Sequence, residues 1–312
     1  MRKAALLYNP LSGGRRQRRL ADVQSAQKIL QGAGIETSAA PTRGASDAGE
    51  QARQMIAEGS DTVFACGGDG TVHDVLQGLV GTEAALGIIP LGTANALAHD
   101  LRLPLSAVGA ARATLTAKPR RISLGQVQYQ DFTGQTRSLY FTVAVGIGAD
   151  AQMFYNLNPL VKQRFGMAAY YAKATRLWLT HPMDLFAAEL DVANGTRQAS
   201  VSQLLAVRIR NFGGVLRELA PGASLERDDL RLVLFHTRSR LVYLRYIIRG
   251  LLGHSWNHSG IELVSTDSVA CSALPGPTTS DRKIFVEADG ELIGTLPVKI
   301  SMVPDALTLL CP

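Results

Sequence analysis

The first third of the chain alternates short apolar runs with longer segments whose apolar residues recur at helical spacing. Short apolar runs bounded by turn residues predict strands, and a 3.6-residue period predicts amphipathic helices. The predicted elements alternate strand and helix: Lys3–Tyr8, Arg18–Gln31, Ile35–Ala39, Asp47–Glu58, Asp61–Cys66, Val72–Leu79, Ala85–Ile89 and Ala96–Leu101. Such regular alternation is typical of a parallel α/β sheet.

After Lys118-Pro119-Arg120-Arg121 the pattern changes to strands with only two helical stretches between them. The predicted strands are Ile122–Gln128, Leu139–Val145, Phe186–Val192, Leu204–Arg210, Arg231–Phe235, Lys283–Glu287 and Pro297–Met302, the last two flanking Ala288-Asp289-Gly290-Glu291. This half therefore predicts a mostly antiparallel second domain.

Composition narrows the class of protein. With 312 residues, 46% hydrophobic and 19% charged, the chain has room for two folded domains. The net charge of +6 suits anionic partners such as nucleotide phosphates or an acidic membrane surface, but it is too mild to indicate nucleic acid. No apolar run approaches the roughly 18 residues that span a bilayer, and Met1-Arg2-Lys3 leads into no signal core. We therefore expect a cytoplasmic protein.

The sequence Gly67-Gly68-Asp69-Gly70-Thr71 lies between a predicted strand and a predicted helix. Glycines let backbone amides approach a ligand, and a helix N-terminus favours phosphate. We expect Thr71 and Asp74 to form a capping box that sets the helix start. A carboxylate facing phosphate would repel it, unless a divalent metal intervenes or the carboxylate accepts a proton from a nucleophile. Both alternatives indicate phosphoryl transfer.

Three more polar, glycine-bearing loops follow predicted parallel strands, namely Asn9–Gly14, Thr42–Gly44 and Leu91–Asn95. Because ligands bind outside the carboxyl ends of such strands, we expect all four loops to converge on one nucleotide. The Walker A pattern and the protein-kinase motifs are absent from the sequence. Any kinase activity would therefore use a different phosphate loop.

Four motifs, in this order and spacing, resemble the diacylglycerol kinase catalytic-domain family of soluble lipid kinases, which includes sphingosine and ceramide kinases. They are Asn9-Pro-x-Ser-Gly-Gly14, Gly67-Gly-Asp-Gly-Thr71, Pro90-Leu-Gly-Thr-Ala-Asn95 and Asp289-Gly-Glu291. The resemblance runs nearly end to end. It implies an N-terminal three-layer α/β nucleotide domain of the NAD kinase and diacylglycerol kinase type, a C-terminal β-sandwich that holds lipid, and an active site between them. The corresponding ranges are 1–121, 122–303 and a return strand in 304–312.

The resemblance also implies ATP, Mg²⁺ and a set of site residues. The residues implied for the nucleotide pocket are Asn9, Ser12, Thr42, Gly67, Gly68, Gly70, Thr71, Gly92, Thr93 and Asn95. The reaction centre is implied at Asp69 and Glu291. Our hypothesis is that Asp69 deprotonates the acceptor hydroxyl while Asp289 and Glu291 hold Mg²⁺, directly or through water.

A second metal site, remote from the chemistry, is implied around Glu226-Arg227-Asp228-Asp229-Leu230, where Asp229 stands in place of the family's glycine. Asp228 would bind Mg²⁺ together with the carbonyls of Glu226 and Leu230. The alternative is a solvated acidic turn.

Two arginine-bearing segments have two interpretations each. Arg15, Arg16, Arg18 and Arg19 indicate either a solvated helix face or a contact with acidic headgroups or the ATP tail. In Leu241–Trp256, the helical spacing of Leu241, Leu244, Ile248 and Leu251 favours packing on the sandwich over a membrane interface.

We predict an ATP- and Mg²⁺-dependent kinase that phosphorylates a hydroxyl of a lipid or lipid-like alcohol, such as diacylglycerol or a sphingoid base. The alternatives are an NAD kinase-type enzyme with a soluble substrate and an inactive nucleotide-binding regulator. The expected partners are the lipid and, transiently, the inner membrane surface, with no nucleic acid and with a homodimer left open.

Overall fold

The computed structural model describes residues 1–10, 18–44, 47–148, 151, 183–192, 195–213, 218–252, 260–274 and 283–312. The chain divides into two compact units. Unit 1 comprises Met1–Leu124, Asn211–Arg217 and Val303–Pro312, and unit 2 comprises Gly125–Arg210 and Glu218–Met302. The sequence prediction had divided the chain after residue 121 and again after residue 303.

Unit 1 alternates strands and helices. Its elements are β1 (Lys3–Tyr8), α1 (Arg19–Gly32), β2 (Glu36–Pro41), α2 (Ala48–Ala57), β3 (Thr62–Gly67), α3 (Asp69–Leu79), β4 (Ala85–Pro90), α4 (Ala96–Asp100) and α5 (Ala107–Leu115). The strands pair in parallel in the order β2-β1-β3-β4. Thr308 and Leu309, in the last part of β15 (Glu291–Cys311), pair in parallel with β4. The predicted parallel α/β sheet is confirmed.

The core of unit 1 follows from the apolar runs. All residues of β3 and β4 are buried, as expected for strands that are covered on both faces. Helix α1 contributes Val23, Ala26 and Leu30, which share one face and pack in the same cluster as Phe64 and Ile89.

Helix α5 was not predicted. The side chain of Ser106 caps it by accepting the Gly109 amide at 3.1 Å.

Unit 2 is built from antiparallel strand pairs. Its elements are β5 (Lys118–Gln130, which begins in unit 1), β6 (Thr136–Phe141), β7 (Ala144–Gly148), β8 (Phe186–Val192), β9 (Gly195–Val201), β10 (Gln203–Val207), β11 (Leu230–Phe235), α6 (Arg240–Leu252), β12 (Ile261–Thr266), β13 (Ser268–Ala273), β14 (Phe285–Ala288) and the first part of β15. One ladder runs β12-β11-β10-β7-β14-β15, and another runs β9-β8-β13-β15. Leu204 and Leu232 from the first ladder share a buried cluster with Phe186 and Val269 from the second, which is the core of a β-sandwich.

One predicted strand of unit 2 was wrong. Leu139–Val145 is not continuous, because β6 ends at Phe141 and β7 begins at Ala144. The amides of Thr142, Val143 and Ala144 all donate to the carboxylate of Asp289. These amides bond a side chain rather than a neighbouring strand, so the ladder is interrupted there.

Helix α6 packs on the sandwich as predicted, but the residues expected to make the contact were wrong. The side chains that pack are Tyr243 and Tyr246, whose rings lie 4.5 and 4.8 Å from the ring of Phe235. Leu241, Leu244 and Ile248, the residues expected to pack, are exposed. The side chain of Leu251 lies outside the described part of the structure.

Candidate functional site

Asp69 lies at the junction between β3 and α3, the position in which the sequence placed it. It is the first residue of α3, directly after Gly68. Its Oδ1 accepts the backbone amide of Ala96, the first residue of α4, at 2.7 Å. The carboxylate is therefore held at the N-terminal ends of two helices, where their dipoles stabilise negative charge.

Helix α3 begins three residues earlier than the sequence predicted. The expected capping box at Thr71 is wrong, since the helix N-cap is Gly68 and no side chain caps it. Thr71 lies in the first turn with its side chain against Gly67, where an added Cβ would come within 2.2 Å of the Thr71 Oγ1. The amides of Gly70 and Thr71 belong to the first turn, where the helix itself provides no acceptor. They suit an anion at this loop.

The loops after β3 and β4 touch through their glycines. A Cβ on Gly92 would lie 2.3 Å from the Cα of Gly68, so the close approach of the two backbones requires a residue without a side chain. Asn95 shapes the second loop: its Oδ1 accepts the Gly92 amide at 2.9 Å, and its Nδ2 donates to the Gly92 carbonyl at 3.1 Å. Asn95 itself has φ of 52°, the left-handed region that asparagine tolerates better than most residues.

The other two predicted loops leave the same edge of the sheet. Asn9 follows β1, and its amide donates to the carbonyl of Cys66 at 3.3 Å. Thr42 follows β2, and its amide donates to the carbonyl of Tyr8 at 2.9 Å. The structure therefore brings Asn9, Thr42, Gly67–Thr71 and Gly92–Asn95 to the carboxyl ends of four adjacent parallel strands. Ser12 lies outside the described residues.

A cavity of about 530 Å³ opens beside the Gly92 loop. Its walls are Arg19, Asp22, Pro90, Leu91, Gly92, Thr93, Asn95, Leu105, Ser106 and Ala107. Of these, Gly92, Thr93 and Asn95 were predicted for the nucleotide pocket. Arg19 was left open as part of an arginine run that favoured a solvated face, yet it is only 4% exposed. The guanidinium of Arg19 and the glycine-bearing loop line the same cavity. This combination suits a ligand that is anionic and partly apolar.

In unit 2, Asp289 and Gly290 form the tight turn between β14 and β15. Their φ angles are 49° and 85°, as a two-residue hairpin of the I′ type requires. Asp289 is buried, and its Oδ1 accepts the amides of Val143 and Ala144 at 2.8 and 3.1 Å while its Oδ2 accepts that of Thr142 at 3.1 Å. Glu291, at the end of the turn, is exposed.

These two carboxylates fit Mg²⁺ unequally. Three amides already occupy the Asp289 oxygens, so this side chain is suited to fixing the turn, whereas the exposed Glu291 carboxylate can reach a solvated ion. Among the residues that the structure describes, no group of three or more His, Cys, Asp or Glu side chains could hold a metal ion. Mg²⁺ commonly binds through one or two carboxylates, water and substrate phosphates rather than a protein cage. One exposed carboxylate is compatible with that mode, and Mg²⁺ binding by Asp289 and Glu291 stays a prediction.

The turn implied as a second metal site contains a buried guanidinium. Arg208 is fully buried, and its Nη1 donates to the carbonyls of Arg227 and Asp229 at 2.7 and 2.6 Å. Burial lowers the pKa of Arg208 to about 10, while the nearby Asp229 and Asp228 act in the opposite direction. The Asp229 carboxylate pairs with Arg227, whose hydrogen bonds lower the pKa of Asp229. Metal binding by Asp228 and the carbonyls of Glu226 and Leu230 stays a prediction.

The interior of the sandwich is filled by side chains such as Phe141, Phe186 and Leu204, which have no exposed surface. A separate cavity of about 410 Å³ in unit 2 is lined by apolar residues such as Ala187, Pro297 and Val298 together with polar ones such as Gln128 and Lys299, and this mixed lining does not identify what it holds. The expectation that the sandwich holds lipid therefore stays a prediction.

Residues 3–127 match the diacylglycerol kinase catalytic domain, and residues 142–311 match the YegS C-terminal NAD kinase beta sandwich-like domain. A diacylglycerol kinase of Mycobacterium tuberculosis (strain ATCC 25618 / H37Rv) is 30% identical over 313 residues, which cover 99% of this chain and 95% of the relative. The chain belongs to the diacylglycerol kinase catalytic-domain family. The family that the motifs indicated is thereby confirmed.

Other family relatives agree over nearly the full length. The diacylglycerol kinase of Bacillus subtilis (strain 168) is 29% identical over 302 residues, covering 95% of this chain and 92% of the relative. A crystal structure of a diacylglycerol kinase from Bacillus anthracis str. Sterne superimposes with a TM-score of 0.71 at 18% identity, covering 99% and 97% of the two chains. Yeast NADH kinase complexed with NADH superimposes with a TM-score of 0.52 at 10% identity, covering 100% and 84%. These two structural similarities concern the fold alone. They confirm the predicted fold class, an α/β domain plus a β-sandwich domain. In the described part of this family member, no helix is long and apolar enough to span a bilayer.

Proposed function

We propose that this chain is an ATP-dependent, Mg²⁺-requiring kinase that transfers the γ-phosphoryl group to a hydroxyl of a lipid or lipid-like alcohol. The observation that carries the proposal is the placement of Asp69. Its carboxylate is fixed by the Ala96 amide at the carboxyl edge of the unit 1 sheet, next to the glycine loops after β3 and β4. The names of the relatives, diacylglycerol kinases, support the acceptor class.

In the proposed mechanism, the loop amides and Arg19 bind the nucleotide. The first-turn amides of α3 offer hydrogen bonds to phosphate oxygens, and the cavity beside Gly92 accepts the rest of the nucleotide. Phosphoryl transfer depends on in-line placement and charge neutralisation more than on covalent chemistry by the protein. Rigid loops, tied together by Asn95 and by the Gly68–Gly92 contact, supply the placement.

Asp69 acts as the base. The acceptor O–H proton moves to the Asp69 carboxylate, the acceptor oxygen forms a bond to the γ-phosphorus, and the bond between that phosphorus and the β,γ-bridging oxygen breaks to release ADP. The Ala96 amide occupies Oδ1 of Asp69 and orients the carboxylate. When bound, Mg²⁺ supplies neutralisation of the phosphate charge, and Glu291 is the residue that would hold it, while Asp289 fixes the turn.

The test is transfer of radiolabel from γ-labelled ATP. Purified protein is incubated with Mg²⁺ and diacylglycerol, with a sphingoid base, with NAD, or without acceptor. We expect label in a chloroform-soluble product with one of the lipids and none in NAD. Transfer to NAD instead would favour the soluble-substrate alternative, and tight ATP binding without transfer to any acceptor would favour the inactive regulator; either result overturns the proposal.

A further inference from the structure

Helix α6 of unit 2 carries an apolar stripe that faces solvent. Leu241, Leu244 and Ile248 are 69%, 40% and 43% exposed, and their spacing puts them on one face of the helix. These three supply a large part of the exposed large hydrophobic side chains among the described residues. Single exposed leucines need no explanation, but three in register form a patch.

The opposite face of the same helix is firmly packed. The ring of Tyr243 stacks on Phe235 with an interplanar angle of 19°, and its hydroxyl lies 2.9 Å from the Ser202 Oγ. Tyr246 meets Phe235 edge-on and donates its hydroxyl to the carbonyl of Leu219 at 2.9 Å. The exposed stripe is therefore held on a fixed platform, and the helix does not need the stripe to be buried in order to pack.

The charged residues of α6 and of the segments that flank it in sequence all have one sign. From His236 to Gly260 the sequence contains Arg238, Arg240, Arg245 and Arg249 and no aspartate or glutamate. At 100° per residue, Arg240 and Arg245 lie on opposite sides of the line formed by Leu241 and Ile248. Arg245 is exposed. An apolar stripe flanked by arginines is typical of helices that lie in a membrane interface.

We propose that the exposed face of α6, defined by Leu241, Leu244, Arg245 and Ile248, docks on an anionic bilayer surface. The three apolar side chains enter the boundary between headgroups and acyl chains, and the arginines contact anionic headgroups. This inference rests on the proposed function, because a lipid acceptor resides in the bilayer. It adds the element through which the enzyme reaches that substrate.

A second copy of the chain fits this face less well. A two-fold interface is self-complementary, so α6 would meet α6 of the other copy and bring arginines towards arginines, and neither helix contributes an acidic residue. Repulsion of like charges opposes such a contact. Anionic headgroups offer the opposite charge, and the acyl region offers an apolar phase for the stripe.

The first experiment measures docking without catalysis. Full-length protein is sedimented with vesicles of phosphatidylcholine alone or of equal parts phosphatidylcholine and phosphatidylglycerol, with no nucleotide present. The variants are the triple change L241Q/L244Q/I248Q, the single change Arg245→Gln, and the control Leu115→Gln, which alters an exposed leucine at the end of α5.

We expect the wild type to bind the anionic vesicles and to dissociate as salt is raised. The partition coefficient should fall by at least about tenfold in the triple variant and by roughly fivefold in Arg245→Gln, and it should not change in Leu115→Gln. Far-UV circular dichroism checks that the variants are folded. The proposal is overturned if the wild type stays in the supernatant or if the triple variant sediments like the wild type. It is also overturned if the triple variant only converts a dimer into a monomer.

The second experiment separates docking from the proposed function. Transfer to a short-chain acceptor dispersed in water should proceed equally in the wild type and the triple variant, whereas transfer to the same headgroup in anionic vesicles should fall by about tenfold or more in the variant. Vesicle binding without transfer to any acceptor would overturn the kinase assignment and leave docking standing. Transfer to the dispersed acceptor without vesicle binding would overturn docking and leave the kinase assignment standing.

Discussion

The Oδ1 atom of Asp69 lies 2.7 Å from the backbone nitrogen of Ala96, so the first residue of α3 accepts a hydrogen bond from the first residue of α4. These residues are 27 positions apart in the chain. The contact joins the loop after β3 to the loop after β4 and sets the direction of the carboxylate.

Asp69→Asn should abolish most of the transfer while leaving the fold intact. Asparagine can still accept the Ala96 amide through its side-chain oxygen, but it cannot take a proton from the acceptor hydroxyl. We expect kcat to fall by on the order of 10²–10⁴ with little change in ATP affinity. Steady-state kinetics and a nucleotide-binding titration measure the two effects. Asp74→Asn, on the same helix, is the matched control and should keep its kcat.

Gly92→Ala should disturb the loops that follow β3 and β4. Its new Cβ would lie 2.3 Å from the Cα of Gly68 and 2.8 Å from Oδ1 of Asn95, so the two loops must separate. We expect a loss of about 1–3 kcal/mol in the free energy of unfolding and weaker nucleotide binding. Gly32→Ala is the control, since a Cβ there meets nothing within 4 Å. Equal behaviour of the two variants in urea denaturation would contradict the close approach of the loops.

Asp289→Asn and Glu291→Gln should separate a structural carboxylate from a functional one. The amides of Thr142, Val143 and Ala144 use both oxygens of the Asp289 carboxylate, whereas an asparagine side chain has only one acceptor oxygen. The free energy of unfolding of Asp289→Asn should therefore fall by about 1–3 kcal/mol. Glu291 is exposed, so Glu291→Gln should leave stability unchanged and raise the Mg²⁺ concentration needed for half-maximal transfer. Thermal unfolding and Mg²⁺ titrations of the rate test both parts. A normal Mg²⁺ response in Glu291→Gln would remove Glu291 from the metal role.

Arg208→Met should destabilise the turn at residues 226–230 by about 2–4 kcal/mol, because the carbonyls of Arg227 and Asp229 lose a charged donor. Arg208→Lys should recover part of this loss, since an ammonium reproduces the charge but not the fork of the guanidinium. If the guanidinium is the cation that holds this turn, EDTA should leave the unfolding temperature of the wild type unchanged. A fall of several degrees on chelation would instead support Mg²⁺ at Asp228.

Glu262 should make unit 2 more stable at neutral pH than in acid. Hydrogen bonds from Arg197, at 2.6 and 2.8 Å, and from His236 hold the pKa of Glu262 below its ordinary value of 4.5. A carboxyl with a lowered folded-state pKa adds stability above its unfolded pKa, and that stability is lost as pH falls through the folded value. Glu262→Gln should therefore cost up to about 1 kcal/mol at pH 7 and progressively less below pH 4.5. A difference in urea denaturation that does not change with pH would rule this out.

The parts of the fold that depend on local pattern were predictable. Strands β3 and β4 are buried throughout and, apart from Thr62, have no polar side chain, and each leads into a glycine-bearing loop. Their positions and the carboxyl-edge location of Asp69 therefore followed from the sequence. Helix α5 was missed because its buried positions, Ala107, Ala110, Ala111 and Thr114, recur at helical spacing but are small residues that contrast weakly with the rest of the segment. The start of α3 was misplaced because Thr71 and Asp74 have the spacing of a capping box, whereas packing against Gly67 places Thr71 inside the helix.

Features that depend on distant contacts were not predictable. The break between β6 and β7 is set by Asp289, which is 145 to 147 positions away from the amides it accepts. Arg19 lies in a run of arginines that indicates solvent, yet the fold buries it beside the Gly92 loop. The helical spacing of Leu241, Leu244 and Ile248 shows that they share one face of α6, but it does not show whether that face is buried or exposed. Only the position of Phe235 shows that the tyrosines form the packed face.

The late return of the chain to unit 1 makes the order of synthesis differ from the order of assembly. Leu307, Leu309 and Leu310 are buried in unit 1, but the ribosome adds them only after all of unit 2. At about 5–20 residues per second, the edge of β4 that receives Thr308 waits on the order of 10–40 s after Leu124 has been made. During that interval nascent unit 1 has an unpaired strand edge, and such edges expose intermediates to aggregation until they are paired.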